Sequence, residues 1–162
     1  MELTKLFTMQ KSLDTYIQDQ HGLAASQLFE DKLLALLVEL SELANETRCF
    51  KFWSTKGPSE RAVILEEYVD SIHFLLSLGI VKDLTSFSDW TISGTDDTLT
   101  ALFIRTHGAV LAFGEQRDMD SYVELWTQYG LLAGKLGFTP DEIMASYLEK
   151  NEKNYERQKS GY

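Results

Sequence analysis

Apolar residues recur along this chain at intervals of three and four, the period of helices with one buried face. Over residues 3–20, Leu6, Met9, Leu13, Tyr16 and Ile17 keep that rhythm until His21-Gly22 ends it, with Gln10 and Asp14 at i, i+4 on the polar side. A second helix is predicted from Ser26 or Phe29 to residue 47. A third follows the Gly57-Pro58-Ser59 break, with Ser59 as N-cap, and runs to residue 78 with Gly79 as its stop. The polar, weakly periodic stretch 82–98 predicts a mobile loop. Helices over 99–113 and 119–136 come next, with Gly114 and Gly137 as breakers, and Thr139-Pro140 is the N-cap and first-turn proline of a last helix. No run alternates with the period of a strand. The pattern is that of one all-α domain, 1–162, built as a bundle of five or six helices.

Two of these helices are apolar on too many sides for a surface position. Leu33, Leu34, Leu36, Leu37, Val38, Leu40 and Leu43 cover most of the second, and Val63, Ile64, Leu65, Val69, Ile72, Leu75 and Leu76 most of the third. Each nevertheless carries two carboxylates three residues apart on one face: Glu39 with Glu42, and Glu67 with Asp70. One such pair is ordinary on a solvated helix, but two on apolar helices are not. Carboxylates ~4 Å apart repel by roughly 4 kcal/mol at an effective dielectric of ~20. A hard divalent cation such as Mg2+, which prefers oxygen ligands, would remove that cost and bridge the helices. Glu46 extends the first acidic face by a turn. Phe74 extends the second, whereas His73 points off that face and reads as a packed, hydrogen-bonded residue.

Composition narrows the partners. Hydrophobic residues are 44% and charged residues 25% of the 162, ordinary for a soluble domain. The formal charge of -10 excludes a nucleic-acid polymer, since no basic stripe exists to neutralise phosphates. A single nucleotide stays possible if cations mask the acid. The lone Cys49 allows no internal disulfide and suits a reducing compartment. No signal-peptide pattern opens the sequence and no segment has the length of a membrane span, so a cytoplasmic location is expected. Glycine-rich phosphate loops, paired Cys/His spacings and nucleophile elbows are absent, which leaves phosphate handling to metal and side chains.

Residues 48–54 are rich in aromatics for a connection. Beside a cation, Trp53 could wall a nucleobase, while Phe50 and Phe52 are expected to cap the core. Near the C-terminus, Lys150, Asn154 and Arg157 stand at i, i+4, i+7 on one helical face.

With these residues laid out, the chain resembles the dimeric, all-α dUTPase family, within the wider all-α nucleotide pyrophosphohydrolases that include MazG-like proteins. The motifs that carry the resemblance are Glu39-Leu-Ser-Glu42, Lys51-Phe-Trp53, Glu67-Tyr-Val-Asp70 with Phe74, and the run from Lys150 through Asn154 and Arg157 to Tyr162. The resemblance implies hydrolysis of dUTP to dUMP and pyrophosphate. It makes Glu39, Glu42, Glu67 and Asp70 ligands of two or more Mg2+ ions, with Glu39, then Glu42, orienting or deprotonating the water. Phe74 would stack on uracil beside Trp53, and Lys51, Lys150, Asn154 and Arg157 would meet phosphate or sugar. Gln10 and Asp14 occupy the positions that read the base, where the family usually has amides; a carboxylate there departs from the pattern and bears on uracil selectivity. A broader pyrophosphohydrolase acting on dCTP or modified nucleotides is the alternative, and a non-catalytic regulatory protein on this scaffold a further one. A homodimer is expected from the resemblance and from the surplus apolar surface of the two acid-bearing helices.

Overall fold

The computed structural model describes residues 1–161, so Tyr162 of the C-terminal run lies outside the described residues. Six α-helices follow one another: α1 Thr4–His21, α2 Phe29–Thr47, α3 Arg61–Val81, α4 Leu99–Gln116, α5 Met119–Leu136 and α6 Pro140–Lys159, with a 3-10 turn at Ala25–Gln27. Among the described residues there is no strand beyond an isolated bridge between Glu2 and Asp89. The all-α reading holds.

Helix α3 is the axis of the bundle. Eleven of its 21 residues are buried, on every side, because α1, α2 and α6 all pack against it. Helix α4 lies on α2 and pairs with α5. Two tyrosines of the core tie their hydroxyls to backbone carbonyls: Tyr68 donates to Tyr129 O at 2.8 Å and Tyr122 to Leu75 O at 2.9 Å. Such bonds let large apolar rings fill the interior without stranding a polar tip.

The helix ends correct several expectations. Ser59 does not cap α3: Glu60 holds the cap position, and the Ser59 hydroxyl donates to Glu46 instead. Gly79 does not stop α3 either, which runs on to Val81. Its role is close packing, since a Cβ there would lie 2.2 Å from the Tyr122 hydroxyl oxygen. Likewise α4 passes Gly114 and ends at Gln116. Gly137 does end α5, in the left-handed conformation at φ 72° that glycine adopts without strain. Thr139 caps α6 with Pro140 in the first turn and a reciprocal capping box to Glu142, as its sequence indicates.

Where a mobile loop is expected, 82–98, the chain has no helix but is tied along its length. Trp90 is buried and donates its indole N–H to Trp126 O, and the amides of Leu3, Trp90 and Ser93 reach Ser88 O, Met1 O and Gly130 O.

Candidate active site

Helices α2 and α3 run antiparallel, and two rungs of that pair define the site. At one rung Glu39 stands beside Asp70, and at the other Lys32 bonds Ser77. Each step is seven residues, or about 10 Å at 1.5 Å per residue. A cavity of ≈ 290 Å³ spans both rungs, walled by α1 through Gln10 and Asp14, by α3 through Asp70, His73, Phe74 and Ser77, and by α6 through Lys150, Asn154 and Arg157.

At the first rung Glu39, Glu67 and Asp70 each present a carboxylate oxygen, all within 4.8 Å of one another. All three are half-buried. Loss of hydration, then the charges of Asp70, Glu42 and Glu67, raise Glu39 to about 7. Burial and the neighbouring acids also raise Glu67, and burial raises Asp70 despite its bond to Lys150. Three anionic oxygens this close, partly withdrawn from water, form a donor set suited to a hard divalent cation. Glu42 is the exception among the expected ligands: its side chain is exposed and outside the three-oxygen cluster, although both Glu39 and Glu67 feel its charge. The expectation that all four acids sit in or beside the core therefore holds for three. An exposed turn of α2 leaves the fourth in solvent.

Part of the counter-charge comes from the protein itself. Lys150 is buried and donates to Asp70 at 2.6 Å and to Glu66 at 3.0 Å. Burial works against its charge, but these two bonds outweigh it and hold Lys150 above the usual lysine value. Asn154 and Arg157 continue the same face of α6 along the cavity.

The second rung is a buried polar network. Gln10 is 4% exposed and Asp14 8%, although both belong to the polar side of α1 in the sequence pattern. The Gln10 side-chain N–H donates to Asp14 Oδ1 at 2.8 Å. Asp14 Oδ2 accepts from Lys32 Nζ at 2.8 Å and from the Ser77 hydroxyl, while Lys32 also donates to Ser77 Oγ. Gln10 Oε1 accepts from the Tyr147 hydroxyl at 2.8 Å and lies 2.7 Å from His73 Nδ1. His73 lines this cavity, contrary to the expectation that it points elsewhere, though it is packed and hydrogen-bonded as expected, stacked on Tyr147 with centroids 4.2 Å apart. Burial, then the charge of Lys150, push His73 down to about 3, so it is neutral at working pH.

Lys51 and Trp53 do not line the cavity. Lys51 donates to Asn45 on the outer side of α2, and Trp53 stands 65% exposed, edge-on to Phe50 and Phe52. Phe52 is 93% exposed and Phe50 is also exposed, so neither caps the core. These aromatics form a projecting cluster in place of a lid on their own chain.

Sequence reasoning missed Lys32, Ser77, Glu66, His73 and Tyr147. Two carried a signal: Lys32 precedes Glu39, and Ser77 follows Asp70, by seven residues, the spacing that keeps side chains on one helical face.

A family model described as dUTPase matches residues 2–162. No curated protein matches the sequence.

Proposed function

Because the chain belongs to the dUTPase family, we propose that it hydrolyses dUTP to dUMP and pyrophosphate in a Mg2+-dependent reaction. The observation that carries this reading is the set of three close carboxylate oxygens at one end of a cavity whose other end is a buried polar network. Glu39, Glu67 and Asp70 have the donor chemistry to hold the cation, with Glu42 one turn along α2 as the fourth ligand. When bound, Mg2+ supplies neutralising charge to the triphosphate and makes a coordinated water more acidic.

The remaining roles belong to the side chains. A water oxygen attacks phosphorus, its proton passes to Glu39, and the bond between the α and β phosphates breaks to release pyrophosphate. Burial and the charges of Asp70, Glu42 and Glu67 raise Glu39 to about 7, which favours it as the acceptor. Lys150, held by Asp70 and Glu66, offers its remaining N–H to a phosphate oxygen, and Arg157 a forked donor set. Phe74, between the two rungs, presents a ring to the base.

We also infer a homodimer. Leu34 and Val38 on α2 and Ile104 and Leu111 on α4 are exposed, and Leu34, Val38, Glu42 and Asn45 line a shallow groove on that side. Burying this face against a second copy would cover the surplus apolar surface of α2 and α4. No described helix is long and apolar enough to cross a membrane, in keeping with a cytoplasmic enzyme.

Pyrophosphate release measured for each deoxynucleoside triphosphate, with Mg2+ and with EDTA, tests the reading. Release from dUTP that requires Mg2+ is expected. Undiminished release in EDTA, or none from dUTP, would overturn it. Light scattering should give twice the 18.5 kDa chain mass.

A further inference from the structure

The buried network at the second rung satisfies itself incompletely, and what it leaves over has a pattern. Gln10 is oriented by its neighbours: Asp14 only accepts, so the amide N–H2 faces it, which turns Oε1 toward Tyr147 and His73. His73 must then carry its proton on Nδ1. Both lone pairs of Gln10 Oε1 are taken, and its amide keeps one free N–H. Asp14 Oδ2 is filled by Lys32 and Ser77, whereas Oδ1 has accepted only from Gln10 and keeps a lone pair. Lys32 has given two of its three N–H groups, to Asp14 and Ser77. The Nε2 lone pair of His73 is left without a partner, and across the three residues Gln10, Asp14 and Lys32 the unused valences read donor, acceptor, donor: Gln10 N–H, Asp14 Oδ1, Lys32 N–H.

All three residues line the cavity, about 10 Å along α3 from the carboxylate cluster and with Phe74 in between. We propose that Lys32 is a specificity-determining residue for the base, completing with Gln10 and Asp14 an edge complementary to the carbonyl, N3–H, carbonyl edge of uracil. This rests on the nucleotide reading of the cavity. Cytosine offers acceptor, acceptor, donor on that edge. In either orientation its N3 lone pair meets Asp14 Oδ1 and its amino group meets a donor, so two of three positions repel. Asp14 in place of an amide thus sharpens the choice of uracil over cytosine, provided Lys32 is there to neutralise it and to supply the second donor. Thymine shares the uracil edge, so the trio is silent on the 5-methyl group.

The test compares wild type, Lys32→Met, Asp14→Asn and the double variant Lys32→Met/Asp14→Asn. The readouts are kcat and KM for dUTP and dCTP, binding of dUMP and dCMP in EDTA, and thermal stability. Loss of the charged donor should lower the preference for dUTP over dCTP by about 10- to 100-fold. The change should sit in KM, with kcat for dUTP within a few-fold, and dUMP affinity should fall in parallel. A Lys32→Met protein that keeps its dUTP-to-dCTP ratio within about three-fold and only melts earlier would reduce Lys32 to a structural partner of Asp14 and overturn the proposal. If the Lys32→Met single variant leaves the Asp14 charge uncompensated and fails to fold, the double variant read against Asp14→Asn alone carries the same comparison for Lys32. A wild-type protein that does not hydrolyse dUTP yet binds dUMP well above dCMP would sink the hydrolase reading alone; equal binding of the two would sink the base-reading edge alone.

Discussion

The two rungs of the α2/α3 pair solve opposite electrostatic problems. At the Lys32/Ser77 end, an ammonium, a carboxylate, an amide and two hydroxyls are matched, so the buried charges are paired and the geometry is set before any ligand arrives. At the Glu39/Asp70 end, three acids face one lysine that is shared with Glu66, and burial raises the acids above their ordinary values. One end has its charges paired without a ligand and the other balances only with added positive charge. A preorganised end can discriminate, and a frustrated end binds what relieves it.

The largest expected effect breaks the frustrated end. Glu39→Gln or Asp70→Asn should abolish pyrophosphate release. Glu39→Gln, which relieves repulsion without breaking an ion pair, should leave a folded protein whose metal-free melting temperature is unchanged or higher, whereas Asp70→Asn also gives up the charge paired with Lys150. Retention of more than about a tenth of wild-type turnover would count against a shared cation site. Next in size, Phe74→Ala should raise KM for dUTP by roughly 5- to 150-fold, corresponding to the ~1–3 kcal/mol of a base stacked on an aromatic ring. An unchanged KM would confine Phe74 to packing.

Mg2+ itself sharpens the contrast. At a concentration about 100-fold above its dissociation constant it should raise the wild-type melting temperature by roughly 5–10 °C, and by much less in Glu39→Gln. Differential scanning fluorimetry with and without EDTA reads this, and equal shifts in both proteins would place the cation elsewhere.

The smallest effect belongs to the matched end. Burial depresses His73 to about 3 in the folded protein, whereas in the unfolded chain it titrates at its ordinary 6.5. Between those values the unfolded state binds the extra proton, so this contribution to stability is full above pH 6.5 and declines as pH falls toward 3. A His73→Gln variant should lose less stability than wild type between pH 7 and pH 5. Nitrogen chemical shifts should report a neutral Nδ1–H ring at pH 6; a charged ring there would contradict the depressed titration, and a neutral Nε2–H ring the bonding to Gln10.

Much of this was legible in one dimension. The 3.6-residue period marks all six helices, and the Thr139-Pro140 start and Gly137 stop need only local backbone chemistry. The acids at 39, 67 and 70 stood out because they interrupt apolar helices. The roles of Gly79 and Ser59 were not legible, because a glycine is a stop or a close-packing site according to what lies opposite, here Tyr122, and Ser59 finds a better partner in Glu46 than in its own helix.

The sequence by itself determined which residues share a helical face, since that follows from backbone geometry, and hence that Glu39 and Lys32, or Asp70 and Ser77, lie along common lines. Only the tertiary structure decided which lines meet. Packing α1 and α6 on α3 turned Gln10 and Asp14 from a polar surface into a buried network and set Lys150 among the acids, while the Lys51–Trp53 loop was left outside its own cavity. The physical reason is that a helix offers several faces of similar polarity, and which of them loses its water depends on the neighbours that cover it.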